Sequence, residues 1–195
     1  MTKSIMLVGV GGQGTILASK LLTIGLMEAG YDVKMSEIHG MSQRGGSVSS
    51  QVRFGEKVYS PVIEKGGADI LVSFEKMEAL RWLEYLKPNG KIVVNDLKID
   101  SIPILIGKAK YLVNEIDEEL EKLNATVIKA EAKAKELGNT KVMNIILLGS
   151  LVKSMELENI DWEQIIRNNV KEKFIEINLV AFDIGKKLVS DINTK

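Results

Sequence analysis

A glycine-rich segment near the N-terminus constrains the fold more than any other feature of this sequence. Residues 9–14 read GVGGQG, which matches the pattern G-x-G-x-x-G. The mainly apolar run 4–8 before it predicts a short buried strand, and the leucines in residues 15–29 recur at the spacing of a helix. A strand that turns through glycines into a helix is the first half of a βαβ unit, so this segment predicts an α/β protein.

The remaining elements extend this prediction along the whole chain. Further strands are predicted at 31–36, 48–54, 68–74, 91–95, 108–113 and 125–129, with 57–60 pairing to 48–54 across a turn; helices are predicted at 75–86, 131–137, 140–155, 161–169 and 171–189. The first two strands are expected to be parallel because a helix separates them. No long linker or repeat interrupts the chain. We therefore expect one α/β domain over residues 1–195, with a mostly parallel sheet and a helical C-terminal third.

Composition excludes several classes of function. Lys and Arg together number 26, as do Asp and Glu, and aromatic residues make up only 5%. The chain therefore has neither the basic field nor the stacking side chains that nucleic-acid binding requires. There is no cysteine and only one histidine. The chain cannot provide thiolate ligands for zinc or iron–sulfur clusters, nor several histidines to one metal, so no metal site is expected.

The apolar runs are too short for a membrane or secretory segment. The N-terminal run is interrupted by glycines, and the richest later run, residues 145–152, is far shorter than the ~20 residues that cross a bilayer. We expect a cytoplasmic protein with no membrane partner.

The glycine-rich loop leaves three interpretations open. Its glycines allow a tight turn, and the following helix offers free N–H groups to an anion. Glu37 follows the predicted second strand, near where a ribose-binding acid would lie. The loop could bind a phosphate or dinucleotide, could only let the helix pack on the strand, or could face a partner subunit or its cofactor. The candidate contacts in this loop are Gly9, Gly11, Gly12, Gln13 and Gly14.

A second loop, residues 37–47, concentrates polar side chains among glycines. Arg44 could clamp a carboxylate or phosphate, His39 could shuttle a proton, and Glu37 could orient that histidine. Parallel strands would bring this loop and the glycine-rich loop to the same edge of the sheet. The alternative is that these side chains only satisfy backbone carbonyls or a surface carboxylate. The further candidates for cofactor or partner contact are Ser42, Gln43 and Ser47.

Two weaker candidates are asparagines. Asn95, together with Asp96, ends a predicted strand and could touch a ligand, although a turn or capping role is the alternative. Asn144 lies on an apolar helix face, where it could form a hydrogen bond across the core.

The motifs together resemble a known family. Residues 9–14, 37–48 (EIHGMSQRGGSV) and 58–61 (VYSP) are similar to the beta subunit of indolepyruvate:ferredoxin oxidoreductase, which resembles the gamma-type subunits of pyruvate and other 2-oxoacid:ferredoxin oxidoreductases. Residues 144–149 and 178–185 fall where that family has comparable helical segments. The HGMSQ sequence favours the indolepyruvate branch.

The resemblance implies a Rossmann-like three-layer domain that is inactive alone. The large alpha subunit would carry thiamine diphosphate, magnesium and 4Fe-4S clusters. This chain has no Gly-Asp-Gly followed by an Asn-Asn pair, the signature expected for magnesium and thiamine diphosphate binding. The complex would decarboxylate an aryl pyruvate oxidatively to an acyl-CoA, with coenzyme A as co-substrate and ferredoxin as electron acceptor. This chain would complete the active site or dock the large subunit, with His39 and Arg44 as its candidate catalytic residues.

Two rival functions stay open from the sequence. One is a stand-alone protein that binds NAD, FAD or FMN through Gly9, Gly11, Gly14 and Glu37. The other is a non-enzymatic interaction protein that has kept the fold without the complex.

Overall fold

One mixed sheet organises the part of the chain that the computed structural model describes, residues 2–38, 46–100 and 102–193. Its six strands lie in the order β2-β3-β1-β4-β5-β6. The strands are β1 (Lys3–Val10), β2 (Asp32–Ile38), β3 (Ser47–Gly55), β4 (Ala68–Ser73), β5 (Leu86–Asn95) and β6 (Thr126–Ile128). The helices are α1 (Thr15–Glu28), α2 (Lys76–Arg81), α3 (Ile102–Leu105), α4 (Val113–Lys122), α5 (Ala130–Glu136), α6 (Met143–Ser154), α7 (Trp162–Asn169) and α8 (Ile175–Asn193).

Strand direction brings several chain segments to one edge of the sheet. β1, β4, β5 and β6 form parallel pairs, whereas β3 is antiparallel to both β1 and β2. Ser47 at the start of β3 pairs with Val10 at the end of β1, and Ser49 pairs with Ile38 at the end of β2. The carboxyl ends of the parallel strands and the start of β3 therefore share an edge, which we call the strand-end edge.

Helices cover both faces of the sheet because the side chains of the central strand alternate between two cores. Ile5 and Leu7 of β1 belong to the larger core with α1 and the C-terminal helices, while Met6 and Val8 face the opposite side. There α2 and α4 pack against β4 and β5. The predicted α/β class, the mostly parallel sheet, the three layers and the helical C-terminal third are confirmed.

The C-terminal helices α6 and α8 cross at unusually close range. A Cβ atom at Gly149 would lie 2.1 Å from the carbonyl oxygen of Phe182, and one at Gly185 would lie 1.9 Å from that of Ile146. Ser150 Oγ donates to the Gly185 carbonyl at 2.9 Å. Nearly every residue of α6 is buried, as expected for a helix that is apolar all round.

Two predicted strands were wrong. Residues 57–60 form no strand, because β3 pairs with β1 and β2 instead; Arg53 Nη1 of β3 bonds to the carbonyls of Ser60 and Val62 and holds the following segment. Residues 108–113 form no strand either, because β6 takes the place beside β5. Val113 instead begins α4, whose Ile116 and Leu120 are buried one helical turn apart.

Two predicted bounds need smaller corrections. The helix predicted at 75–86 ends at Arg81, and β5 begins at Leu86 rather than at residue 91. The first two strands run in the same direction, as predicted, but β3 separates them.

None of the helices in the described ranges is long and apolar enough to span a bilayer. A cytoplasmic location and a single domain over 1–195 stay predictions.

Candidate functional site

The glycine-rich loop lies at the strand-end edge, directly against the start of β3. Gly11 N donates to the carbonyl of Gly46 at 2.9 Å, and Gln13 N donates to that of Val10 at 3.2 Å. Gly14 is the N-cap of α1, with φ +83° and no capping side chain. One backbone donor of the loop, Gly11 N, is therefore engaged by the segment that enters β3.

Gln13 braces this loop from within. Its Oε1 accepts from Val10 N at 2.6 Å, and its Nε2 donates to the carbonyl of Phe74 at 2.8 Å, which ties β1 to the end of β4. Gly9 lies beneath this brace: a Cβ there would be 2.7 Å from Gln13 Oε1 and 2.9 Å from Phe74 Cβ. These contacts give Gln13 and Gly9 structural roles at the positions predicted to contact a cofactor.

The last two glycines of the loop have different surroundings. A Cβ at Gly14 would lie 2.6 Å from Asn144 Nδ2, which donates to the Gly14 carbonyl at 3.2 Å. The predicted hydrogen bond of Asn144 across the core is confirmed, since it joins α6 to the start of α1. Among the described residues, nothing lies within 4 Å of the Cβ position of Gly12, whose φ is +101°. Gly12 is therefore more open to another molecule than Gly9 and Gly14 are.

A cleft of about 290 Å³ opens beside Gly11 and Gly12. It lies between the start of α1, the end of β2 and the start of β3. Ile16 and Ile38, both about half exposed, contribute to its lining. The described lining residues are Gly11, Gly12, Gly14, Thr15, Ile16, Ile38, Val48, Ser49 and Ser50. The volume lies at the lower limit for sites that hold a small ligand.

Glu37 is not placed as the acid of a dinucleotide site. Its Oε1 accepts from Ser19 Oγ of α1 at 2.7 Å. Because β3 lies between β1 and β2, the strand that carries Glu37 is two strand spacings, about 10 Å, from the strand that carries the glycines. In the usual dinucleotide fold those two strands are neighbours. The geometry therefore disfavours the usual ribose contact.

Sequence reasoning missed a buried polar cluster around Glu78, whose residue is 5% exposed. Ser47 Oγ donates to the Glu78 carboxylate, Trp82 Nε1 donates to Ser47 Oγ at 3.1 Å, and Arg81 Nε donates to Glu78 Oε1 at 3.0 Å. Ser47, a predicted partner-facing residue, is thus bonded to α2 inside the protein. The only sign of this cluster in the sequence was a spacing of three and four residues, which places Arg81 and Trp82 on the same helix face as Glu78.

A second missed group, Glu75, is a carboxylate that is 1% exposed. Its Oε2 caps α2 by accepting from Glu78 N at 3.0 Å, and its Oε1 accepts from both Ile99 N and the Tyr111 hydroxyl. Burial is the main reason that the pKa of Glu75 is raised above its usual value. Burial and the neighbouring Glu75 likewise raise the pKa of the Tyr111 phenol.

Asn95, a weak candidate, is fully buried at the same edge. Its Nδ2 donates to the Phe74 carbonyl at 3.2 Å, and its Oδ1 accepts from Glu131 N at 3.2 Å. It therefore ties the end of β4 to the start of α5 through residues 21 and 36 positions away, which is a long-range structural role rather than a local turn.

The most specific candidates lie outside the described residues: His39, Ser42, Gln43 and Arg44. The flanking residues are placed. Ile38 ends β2, and Gly46 contacts the glycine-rich loop through its carbonyl. Ile38 and Gly46 thus both lie at the strand-end edge, where Gly46 contacts the glycine-rich loop directly and Ile38 lines the cleft beside it.

The donor set of this chain does not fit a metal cluster. Over 2–38, 46–100 and 102–193, no three His, Cys, Asp or Glu side chains are grouped so as to hold a metal ion. The whole chain lacks cysteine, so it has no thiolate ligands for iron–sulfur chemistry.

Comparison with known proteins agrees with these observations. Residues 4–188 match the family model described as pyruvate ferredoxin/flavodoxin oxidoreductase. The chain is 37% identical to the indolepyruvate oxidoreductase subunit IorB of Pyrococcus horikoshii, over 97% of this chain and 96% of that protein. IorB of Thermococcus kodakarensis is 38% identical, with the same shares covered.

One solved structure is a separate chain that has the same fold. The gamma subunit of a keto/oxoacid ferredoxin oxidoreductase from Geobacter sulfurreducens superposes with a TM-score of 0.74 at 23% identity, covering 98% of both chains. The predicted resemblance is therefore confirmed, and the chain belongs to the pyruvate ferredoxin/flavodoxin oxidoreductase family, among its small 2-oxoacid:ferredoxin oxidoreductase subunits.

Proposed function

We propose that this chain is the small subunit of an indolepyruvate-type oxidoreductase, which converts an aryl pyruvate and coenzyme A into an acyl-CoA and carbon dioxide. The similarity to IorB of P. horikoshii over nearly the full length of both proteins carries this proposal. Ferredoxin would accept the two electrons released, and iron–sulfur clusters on another subunit would carry them. Thiamine diphosphate supplies the chemistry that breaks the carbon–carbon bond, so the reactive groups belong to the cofactors.

The cofactors lie on a large alpha subunit in this proposal. This chain has no cysteine to ligate iron–sulfur clusters. Its glycine-rich loop is already hydrogen-bonded by side chains of the same chain. Gln13 and Asn144 hold the loop from within, and Gly46 takes one backbone donor. This internal bonding, with β3 inserted between β1 and β2, favours a partner-facing platform over the rival nucleotide-binding protein.

The strand-end edge is then the surface that completes the active site or docks the large subunit. His39 and Arg44 belong to the segment between Ile38 and Gly46, two residues that lie at this edge. We propose that both line the subunit interface near the substrate or coenzyme A, where Arg44 pairs with an anionic group and His39 exchanges a proton. The open position at Gly12 allows the partner to approach the backbone closely.

The test is turnover by a complex reconstituted with the large subunit. Arg44→Ala is expected to raise the KM for coenzyme A or the oxoacid at least ~10-fold, which corresponds to one lost charge-assisted contact. His39→Ala is expected to lower kcat. The matched control is Arg167→Ala, which removes an arginine of α7 that pairs with Glu163 and Glu176. If Arg44→Ala and His39→Ala both keep the wild-type kcat and KM, the proposed roles of Arg44 and His39 are refuted.

A further inference from the structure

A second cavity, of about 320 Å³, lies between α1 and the C-terminal helices, and we call it the α1–α8 cavity. Its lining comes from α1, from the residues that lead into α6 and from the turn between α7 and α8. The volume lies at the lower limit for sites that hold a small ligand. Much of the lining is apolar, with Leu17, Val142, Val170 and Phe174. Because Phe174 is 39% exposed, it can pack against a further apolar group.

Three asparagines of the lining share one hydrogen-bonding pattern. Asn144 Nδ2 donates to the Gly14 carbonyl at 3.2 Å, and the Nδ2 groups of Asn169 and Asn178 each donate to the carbonyl four residues earlier, at 2.9 and 2.7 Å. Only the NH₂ group of an amide can donate to a carbonyl, so these bonds fix the orientation of all three amides. Their three Oδ1 atoms, which we call the asparagine oxygens, accept no hydrogen bond from any described residue.

The asparagine oxygens favour a ligand that donates hydrogen bonds. Asn144 and Asn178 are buried, at 4% and 7% exposure, and Asn144 Oδ1 is itself enclosed without a donor. Buried carbonyl oxygens in proteins are normally hydrogen-bonded, so three of them without donors around one cavity are unusual. A group with several N–H bonds, such as an ammonium, matches them.

Two lysines of the lining add a preference for negative charge. Lys141 and Lys171 are exposed, and neither forms an ion pair with any residue that the structure describes. By contrast, Lys153 at the end of α6 pairs with Glu158 at 2.6 Å. None of the described lining residues carries a carboxylate. The cavity therefore also suits an anionic group, and the two ammonium groups disfavour a metal cation at the asparagine oxygens.

We propose that the α1–α8 cavity binds an α-amino acid with a large apolar side chain. The ammonium group of such a ligand donates to the asparagine oxygens, its carboxylate pairs with Lys141 or Lys171, and its side chain packs on the apolar lining. A 2-oxoacid has a carbonyl oxygen in place of the ammonium group and cannot satisfy these acceptors. The site therefore differs in chemistry from the proposed substrate site, and the inference does not rest on the proposed function.

The test is calorimetric titration of the full chain with L-phenylalanine and three analogues. 3-Phenylpropanoate lacks the ammonium group, 2-phenylethylamine lacks the carboxylate, and L-alanine keeps both charges but lacks the ring. Each analogue should bind at least ~10-fold more weakly than L-phenylalanine, because each loses one of the three sets of contacts. Equal affinity for 3-phenylpropanoate would overturn the assignment of the asparagine oxygens.

Matched variants connect this binding to the cavity. Asn169→Ala, and separately the double variant Lys141→Ala/Lys171→Ala, should each weaken L-phenylalanine binding at least ~5-fold. The controls are Asn168→Ala, whose amide contacts Gln164 and does not line the cavity, and Lys187→Ala at an exposed position of α8. Both controls should bind L-phenylalanine as the wild type does, and circular dichroism verifies that each variant is folded.

The remaining outcomes decide against the proposal. If ~10 mM L-phenylalanine gives neither heat nor a thermal shift of the wild-type chain, the cavity does not bind this ligand class. If L-phenylalanine binds but the folded Asn169→Ala and double-lysine variants keep the wild-type affinity, binding lies elsewhere and the proposal is equally overturned. Neither result bears on assembly with the large subunit, so the proposed function is tested separately by turnover.

Discussion

Glycines serve opposite purposes in two regions of this molecule. At the crossing of α6 and α8, Gly149 and Gly185 are needed because the facing backbone leaves no room for a Cβ. In the glycine-rich loop, Gly12 has a positive φ, which favours glycine, and no atom of the described residues lies within 4 Å of its Cβ position. The glycines at the crossing let two helices pack closely. The glycine-rich loop is instead held by hydrogen bonds within the chain and leaves one backbone position exposed. A glycine motif therefore has to be interpreted one residue at a time.

The largest effect is expected at the helix crossing. Gly185→Ala places a methyl group against the Ile146 carbonyl, so α8 must move away from α6, and the free energy of unfolding should fall by more than about 3 kcal/mol. Urea unfolding measures this loss. Lys187→Ala, at an exposed position of the same helix, should change it by less than about 0.5 kcal/mol. Equal stability of the two variants would contradict the close crossing.

A smaller loss is expected when the brace of the glycine-rich loop is removed. Gln13→Ala leaves Val10 N without the Gln13 acceptor and removes one of the two donors to the Phe74 carbonyl, which keeps Asn95 Nδ2. The free energy of unfolding should fall by about 2 kcal/mol. Gln164→Ala, which removes an exposed amide that contacts Asn168, is the matched control and should be close to neutral. A neutral Gln13→Ala would mean that this side chain is available to a ligand.

Gly12 and Gly30 provide a direct test of the exposed loop position. Both have positive φ and open space around their Cβ positions, so an alanine at either should destabilise the chain by about 1 kcal/mol. Only Gly12→Ala should also weaken binding to the large subunit, since Gly30 lies at the other end of α1. Identical binding by the two variants would remove Gly12 from the interface.

The smallest effect concerns the pH dependence that Glu75 introduces. Because its pKa is raised in the folded chain, the native state keeps the proton longer than the unfolded state as pH rises above about 4.5. Ionisation of Glu75 therefore makes the free energy of unfolding fall as pH rises above about 4.5. In Glu75→Gln this fall should be shallower than in the wild type. Unfolding free energies from pH 4 to pH 7 test this slope. Glu64→Gln, at an exposed position, is the matched control, and its free energy of unfolding should change with pH as that of the wild type does. If the free energy of unfolding of Glu75→Gln declines as steeply as that of the wild type, the role given to Glu75 is contradicted.

The sequence predicts the elements of this fold better than their arrangement. Local periodicity was sufficient for β1, α1, β4 and the C-terminal helices, because apolar residues at strand or helix spacing have only one way to reach the core. The insertion of β3 between β1 and β2 depends on antiparallel pairing that no local signal specifies. Residues 108–113 are a plausible strand by sequence, but β6 occupies the edge beside β5.

The candidate site was predictable as a location and less so in its contacts. The glycine-rich loop and the ends of the 39–45 segment meet at the strand-end edge, as the motif order indicates. The contact from Gln13 to Phe74 joins positions 61 residues apart, and that from Ser47 to Glu78 joins positions 31 apart. Such contacts depend on tertiary packing, so residues predicted to face a ligand proved to hold the protein together.

The most direct test of the subunit assignment is turnover of indolepyruvate by separated and recombined subunits, followed as reduction of ferredoxin. This chain alone should be inactive, and adding it to the large subunit with coenzyme A should restore full acyl-CoA formation in step with complex formation. Oxoacid oxidation by this chain alone, or full activity of the large subunit without it, would contradict the assignment.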